Sequence, residues 1–498
     1  MCTRVHMSKS VPVIENRWAG SKNTEYLRVI APATGQPLWD IVCSDEHGVD
    51  AAIRAARSAF EKWRWVPALE RGRILRECAE AIKPFANEIA EIESQEMGKP
   101  VIQAHMDVQV LIASFEYFGG LTAVLPSRAQ DVGHSYSMTM LEPFGIIGGI
   151  LPFNWPPIHT GAKSAPALAV GNAVVLKPPE QAPRTIMRIV EILNTVLPRD
   201  LLQVVPGGPD VGKALAAHPM IAKLSFTGAS PTGVHVLKTL ADNLTPAMME
   251  LGGKNALIVM ADADLDQAVP YAIEGGFYNC GQACTASSRL LVHADIHDEF
   301  VERLVAGVSR LRLGPLDDAL TTVGPVANHG QQRKVLDFID VAQKEGATIA
   351  FQGELPSDPA LAAGAWVRPT VITGVTRDMR VAREEIFGPV VAVMRFGSME
   401  EAVEIANDTP YGLVAGVFSG DTAQALAIAR RLSVSSVFIN NYHRTFFGTP
   451  FGGTKHSGFG REHAPETLSE YGFTKSYRLP SGIGEMPHWA GSTSSSNS

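Results

Sequence analysis

The sequence predicts an α/β protein with two doubly wound parallel-sheet domains and a small β arm. Three observations carry this expectation. The chain has 498 residues, and at about 150 residues per domain that length predicts two to four folding units. From residue 145 short apolar runs alternate with helical stretches, the pattern of a parallel sheet covered on both faces. A second series of the same kind starts near residue 252, and two segments, 135–142 and 474–479, stand outside both series.

Taken in order, residues 50–63 and 69–95 set alanine, isoleucine and leucine at helical spacing among charges, which predicts two amphipathic scaffold helices. Segments 145–151, 173–176, 202–205 and 223–226 read as strands, each ending in a loop with Pro, Gly or Asn before a helical stretch. That succession predicts the first doubly wound sheet. Segments 256–260 and 289–292 open the second. The alternating polar and apolar residues of 135–142 predict a strand outside the main sheets that can pair with 474–479 and serve oligomerisation. No period of 20 to 50 residues recurs, which excludes solenoids and propellers. The serine-rich tail 491–498 has too little apolar surface to offset its ordering entropy and is expected to be mobile.

Composition narrows the function. Hydrophobic residues at 45% and charged residues at 19% fit a folded, water-soluble chain and exclude disorder of the bulk. A net charge of -8 repels a phosphate backbone or an anionic membrane surface, so nucleic acid is not an expected partner. The five cysteines, Cys2, Cys43, Cys78, Cys280 and Cys284, are few, odd in number and scattered, the usage of a reducing, cytoplasmic compartment. Residues 1–10 lack a signal-peptide core, and apolar stretches such as 144–151 are too short to enter a membrane.

In open parallel sheets ligands bind beyond the carboxyl ends of the strands, and three loops lie there. Pro152-Phe153-Asn154-Trp155-Pro156-Pro157 holds one amide in a rigid apolar setting. Asn154 can donate to a developing oxyanion or act as an ordinary helix N-cap. Lys177-Pro178-Pro179-Glu180 can bind ribose oxygens, the carboxylate repelling a 2'-phosphate, or form a solvated charge pair. Gly207-Gly208-Pro209-Asp210-Val211-Gly212 and Phe226-Thr227-Gly228 can bring helix N-terminal amides to a pyrophosphate, although no G-x-G-x-x-G fingerprint is present.

Two further motifs carry reactive groups. Cys284 lies in Gly281-Gln282-Ala283-Cys284-Thr285, where a glycine turn is expected to open a helix whose dipole favours the thiolate. It is a candidate nucleophile, with a buried inert thiol as the alternative. Cys280, four residues earlier, has no thiol or imidazole neighbours in sequence to complete a metal site. Glu250, in Met249-Glu250-Leu251-Gly252-Gly253-Lys254, is an acid among apolar residues whose burial would raise its pKa and suit it to general-base work. Pairing with Lys254 is its alternative. Glu384-Glu385-Ile386-Phe387-Gly388-Pro389 adds a carboxylate beside an aromatic ring.

Together and in this order these segments, with Pro450-Phe451-Gly452-Gly453-Thr454-Lys455-His456-Ser457-Gly458, resemble the aldehyde dehydrogenase superfamily from about residue 25 to 480. The resemblance implies a cofactor domain over 1–122 and 144–251, a catalytic domain over 252–455, oligomerisation strands in 123–143 and 471–485, and a flexible tail, 486–498. It implies attack by Cys284 on an aldehyde, an oxyanion held by Asn154 and the Cys284 N–H, thioester hydrolysis by water activated at Glu250, and a proton relay through Lys163. NAD, or NADP, would contact Ile150, Phe153, Lys177, Glu180, Gly208, Gly212, Phe226, Thr227, Gly228, Leu251, Glu385 and Phe387, with Lys177 and Glu180 favouring NAD. No metal is implied, and a homodimer or homotetramer is expected.

Two departures from the family pattern, Phe153 in place of Trp and Ala229 in place of Ser, each remove a donor to the pyrophosphate. The resemblance draws the substrate pocket from Trp155, His159, Ala162, Tyr278, Thr285, the 441–447 loop and Phe451. Ala162, where a bulky aromatic is frequent, implies a widened entrance for an aromatic or bulky aldehyde, and Arg444 offers a contact for a carboxylate. Two other readings share the nucleophile: a CoA-acylating dehydrogenase, against which Glu250 argues, and a non-redox cysteine hydrolase or amidase, for which Glu385-Ile386-Phe387-Gly388-Pro389 would have no purpose.

Overall fold

The protein, represented by a computed structural model that describes residues 11–14, 25–442 and 446–484, begins with a small sheet of strands β1 (Val13–Ile14), β2 (Tyr26–Ile30) and β3 (Pro37–Val42). Asp45 then starts helix α1 (Glu46–Trp63) by accepting the Gly48 N–H on its side chain, which satisfies one of the helix's free donors. Val49, Ala52, Ile53, Ala56 and Phe60 give that helix one buried face. The stretch 69–95, expected as one helix, is two: α2 (Ala68–Ile82) and α3 (Ala86–Met97), separated by the 3-10 turn Lys83–Phe85. Pro84 is the physical reason, because its ring removes an N–H and crowds the preceding turn. Helix α4 (Val101–Leu121) and strands β4 (Ser127–Asp131) and β5 (Ser135–Pro143) follow. The expectations for 491–498 and Arg444 lie outside the described residues.

The first large sheet is laid down as β6 (Ile146–Ile150), α5 (Pro156–Val170), β7 (Ala173–Lys177), α6 (Pro183–Leu193), β8 (Leu202–Val204), α7 (Pro209–Ala217), β9 (Ile221–Thr227), α8 (Ser230–Ala241) and β10 (Ala247–Glu250). Its strand order is β10-β9-β6-β7-β8, all parallel, with the short strand Gly458–Phe459 antiparallel on the β10 edge. The central strand needs its two glycines. A Cβ at Gly148 would lie 2.7 Å from Leu224 Cδ1, and one at Gly149 would lie 2.6 Å from Leu176 Cδ2, so side chains of both flanking strands close over the pair. From β6 the chain builds to one side through β7 and β8, then returns to the other through β9 and β10. The order therefore reverses between β6 and β9, where the departing loops diverge and leave a crevice.

The second sheet starts with β11 (Ala256–Val259), helix α9 (Leu265–Phe277) and β12 (Arg289–His293). It grows to seven strands, parallel except for the antiparallel edge strand Thr348–Gln352. Along β11, Ala256 and Ile258 pack into one apolar cluster while Leu257 and Val259 pack into another, the alternation expected of a strand buried on both faces. Apart from both sheets, β5 pairs antiparallel with β4 and with the strand Gly472–Pro480, Thr474 facing Leu141. Among the described residues no helix is long and apolar enough to cross a membrane.

Candidate active site

The register of the first sheet brings its strand ends into one row. Glu250 lies opposite Thr227, Ile150 opposite both Phe226 and Lys177, and Leu176 opposite Val204. Beyond the middle of this row opens a cleft of about 610 Å³. One wall carries Phe153, Asn154, Thr227, Gly228, Glu250 and Leu251, and the other carries Cys284, Glu385 and Phe387 from the second sheet. Nine residues singled out from the sequence thus share one cavity.

Cys284 does not open a helix. Its turn runs directly into β12, because the residues after it extend to join the second sheet instead of coiling. The expected dipole stabilisation is therefore missing. Burial pushes the thiol well above its ordinary value, and the carboxylates of Glu250, Glu385 and Glu462 push it further. The Cys284 carbonyl is fixed by the Asn255 side-chain amide at 2.8 Å, and Gly253 must stay bare because a Cβ there would lie 2.5 Å from that oxygen. On its other side the sulfur residue packs with Trp155, Ala283, Ala286 and Ile158.

Asn154 is not an N-cap, since Trp155 occupies that position of α5. Its Nδ2 donates to the Gln282 carbonyl at 3.0 Å. One amide N–H is thereby fixed, and the planarity of the group aims the second. Glu250 ends β10, and among the described residues no side chain hydrogen-bonds its carboxylate, toward which only the Gly453 backbone N–H is turned. Burial raises its pKa well above the usual carboxylate range, and the Glu462 charge raises it further. It does not pair with Lys254, whose buried ammonium also finds no partner among the described residues and is lowered by burial to about 7. Lys163 is joined to Glu462 at 2.8 Å, both fully buried, and Glu462 is held in turn by a two-way backbone bridge to Phe451.

The dinucleotide-type residues form a longer track along the same sheet edge. Thr227 Oγ1 is buried and, among the described residues, lacks a partner. At Gly228 a Cβ would lie 2.7 Å from the Phe226 ring, and at Gly252 one would lie 2.4 Å from Glu385 Oε2. Glu385 accepts the Gly253 N–H at 3.1 Å. Phe387 takes a φ of +59°, a costly conformation for an aromatic residue, and Gln331 Nε2 holds it through its carbonyl at 2.7 Å. The Phe153 ring meets Phe387 edge-on, centroids 5.7 Å apart. Farther along, buried Lys177 pairs with Glu180 at 2.5 Å, Gly208 precedes α7, and Gly212 within α7 faces Ile150. The solvated-pair alternative fails for Lys177 because its side chain is only 6% exposed.

Trp155, His159, Ala162 and Lys163 follow one another at helical spacing down one side of α5. His159 is buried, both ring nitrogens lack a partner among the described residues, and burial lowers its pKa to about 3. Tyr278 ends α9 half-buried, the Thr285 carbonyl accepts the Tyr442 hydroxyl at 2.9 Å, and Phe451 lies 5.9 Å from the His463 ring. Sequence reasoning missed Glu462, Gln282, Asn279 and Lys99. For Glu462 the available signal was a charged pair, Arg461-Glu462, embedded in a glycine-rich stretch.

A thiol, an amide donor and a carboxylate of raised pKa, set beside a crevice at a sheet switch point, have the composition of an enzyme active site. Comparison with known proteins agrees. Residues 18–477 match the model of the aldehyde dehydrogenase family. The chain is 47% identical over 480 residues to aldehyde dehydrogenase citD of Monascus ruber, covering 96% of each chain. It is 39% identical to the betaine aldehyde dehydrogenase of Mesorhizobium japonicum, over 95% of this chain and 98% of that one. Among solved structures, the betaine aldehyde dehydrogenase of Staphylococcus aureus in complex with NAD+ superposes with a TM-score of 0.91 at 36% identity, covering 96% of this chain and 95% of that one. The chain belongs to the aldehyde dehydrogenase family and is an aldehyde dehydrogenase.

Proposed function

We propose that this enzyme oxidises a bulky or aromatic aldehyde to the carboxylic acid, with NAD as oxidant, carrying the acyl group on Cys284 and releasing it to water. The observation that carries the reading is the shared cleft: Cys284, Asn154 and Glu250 line it together with Glu385 and Phe387. A dinucleotide fits these residues. The orphaned Thr227 hydroxyl and the bare backbone at Gly228 and Gly252 offer a donor and close approach at the sheet's switch point. Ile150, Phe153, Phe226, Leu251, Gly208 and Gly212 would complete the groove, with Lys177 and Glu180 on the adenosine ribose and Glu385 on the nicotinamide ribose. When bound, the cofactor supplies the acceptor for the hydride that leaves the substrate carbon.

The residues of the chain do the rest. Cys284 sulfur bonds to the aldehyde carbon while its proton passes to Glu250, whose raised pKa makes it a competent acceptor. The carbonyl oxygen becomes an oxyanion held by the second Asn154 N–H and the Cys284 N–H. On the oxidised acyl group, now a Cys284 thioester, Glu250 takes a proton from water, the hydroxide adds to the carbon, and collapse returns the sulfur and the acid. Lys163 and Glu462, buried next to Glu250, carry the proton away. Phe153 and Ala229 leave the pyrophosphate with fewer donors, which weakens cofactor grip without touching acyl transfer.

The bulky-substrate part of the reading rests on the resemblance, which places the small Ala162 of α5 where a bulky aromatic is frequent. Exposed Tyr136, Met140, Phe473 and Leu479 on the arm support a homodimer or homotetramer joined there, and the free cysteines Cys43, Cys78, Cys280 and Cys284 support a cytoplasmic setting. The test is a panel of aldehydes with NAD or NADP, with and without CoA, read at the reduced nicotinamide band. Benzaldehyde-type substrates should exceed octanal in kcat/KM, and CoA should change nothing. Undiminished oxidation by Cys284→Ala would overturn the mechanism, acyl-CoA formation would favour the CoA-acylating reading, and octanal winning by a large factor would overturn the wide pocket.

A further inference from the structure

We propose that Lys99 is a positioning residue for the oxyanion site, a buried ammonium that holds the Asn154 backbone so that the free side-chain N–H points at the reacting carbonyl oxygen. The inference rests on the catalytic reading of Asn154 above. Lys99 lies between α3 and α4, and its side chain is fully buried. Its Nζ meets three acceptors: Glu93 Oε1 at 2.5 Å, Asp107 Oδ2, and the main-chain carbonyl of Asn154 at 3.0 Å. An ammonium has three N–H groups, and each therefore has a destination.

Asn154 is gripped from both ends. Its carbonyl takes Lys99 on one side and the Asn279 side-chain amide at 2.9 Å on the other. Its own Nδ2 reaches the Gln282 carbonyl at 3.0 Å. Gln282 is in turn anchored by the Ala327 N–H at 2.9 Å, and the Asn279 N–H is received by Gln103 at 3.3 Å. Lys99, just before α4, thus reaches the loop that follows β6 directly, whereas Gln103 within α4 reaches it only through Asn279. The Lys99 ammonium also lies 5.8 Å from the centre of the Trp155 ring, which fixes the next residue of that loop.

A cation in this place costs desolvation, and only its partners make it tolerable. Burial raises both the Glu93 and the Asp107 carboxyls, and the Lys99 ammonium between them opposes that shift in each. Neutral packing would hold the helices together as well. What an apolar side chain cannot supply is a directed donor to the Asn154 carbonyl.

The experiment uses Lys99→Met combined with Asp107→Asn, which removes cation and anion together and leaves no bare charge. Glu93→Gln serves as a second, milder variant. Each is made in the full-length enzyme and again with Asn154→Ala. Three rates are read: aldehyde oxidation, hydrolysis of an activated aryl ester, and alkylation of Cys284 by iodoacetamide. Oxidation and ester hydrolysis both pass through an oxyanion, whereas alkylation is displacement at a saturated carbon and reads access to the sulfur and its thiolate fraction, with no oxyanion to stabilise.

Loss of positioning should lower kcat for both acyl reactions about 10- to 100-fold, somewhat less than loss of the donor itself, with KM changed by less than about threefold. Alkylation should be unchanged. In the Asn154→Ala background the same changes should cost less than about threefold, because residues that act through one group are not additive. Equal losses in both backgrounds, or a parallel fall in alkylation, would overturn the proposal. The ester reaction needs no dinucleotide, so the cycle still decides the role of Lys99 if the oxidation chemistry proposed above proves wrong.

Discussion

Replacing Asn154 by alanine isolates the electrostatic part of the mechanism, because the structure around it has reason to survive. The Asn154 main-chain carbonyl keeps both of its donors, Lys99 and Asn279, since they bind backbone. The Gln282 carbonyl loses the Asn154 amide but retains Asn279 Nδ2 at 3.3 Å. The Asn154 Oδ1 atom, buried without a partner among the described residues, is removed along with the amide, which offsets part of the lost hydrogen bond. Stability should therefore fall by only about 1 kcal/mol. The chemical barrier should change far more. Removing one preorganised oxyanion donor from a water-excluded site costs about 100- to 1,000-fold in kcat, or roughly 2.7 to 4 kcal/mol. Stopped-flow formation of reduced nicotinamide gives kcat and KM, and urea unfolding gives stability. The expected pattern is a collapse of kcat with KM moved by less than about fivefold. A kcat within about threefold of the parent enzyme would refute the role of the amide, and a stability loss large enough to unfold the variant would refute the reading of the surrounding hydrogen bonds.

Three further outcomes follow from the charges of the site. Glu250→Gln should lower kcat by about 10²- to 10⁴-fold and, because burial raises the Glu250 pKa, should abolish an acid limb that in the parent lies alkaline of an ordinary carboxylate. A pH–rate profile with that limb intact in the variant would count against Glu250. Glu462→Gln leaves the buried Lys163 ammonium without its counter-charge and should cost about 3 to 5 kcal/mol in urea unfolding, whereas a change below about 1 kcal/mol would show that the pair is not a buried ion pair in solution. His159→Leu removes two buried ring nitrogens that lack partners among the described residues and should stabilise the protein by about 1 to 3 kcal/mol. Destabilisation would mean that the imidazole has a partner in solution.

The parts of the fold legible in the sequence are those that local pattern decides. Segments 173–176 and 202–205 are short apolar runs closed by Pro, Gly or Asn, and nothing but a buried parallel strand uses them well. Strand β10 escaped because its apolar run, Ala247-Met248-Met249, lies between Pro246 and Glu250, too short for a period to emerge. The break at Pro84 was legible in principle, since a proline inside a helical pattern ends or kinks it, and the strong apolar spacing on both sides hid it. Side-chain pairing was not legible. Lys163 and Glu462 are 299 positions apart and Lys99 and Asn154 are 55 apart, and a single sequence holds no record of which distant charge a folded chain will bring to another.

The misreading of Cys284 is more informative than the successes, because it changes how the nucleophile must be made. A thiolate at a helix N-terminus would be charged in the free enzyme and open to oxidation at all times. Here the sulfur sits on a turn into β12, and burial with three carboxylates in range keeps it protonated. The same burial raises Glu250, so proton donor and acceptor are displaced in the same direction and burial of the donor is matched by burial of the acceptor. On the proposed mechanism, reactivity is created when the proton moves and the oxyanion forms between the two amide donors. On that mechanism the site gains its power from where Asn154 points and from what Glu250 can accept, and the sulfur need not be a thiolate beforehand.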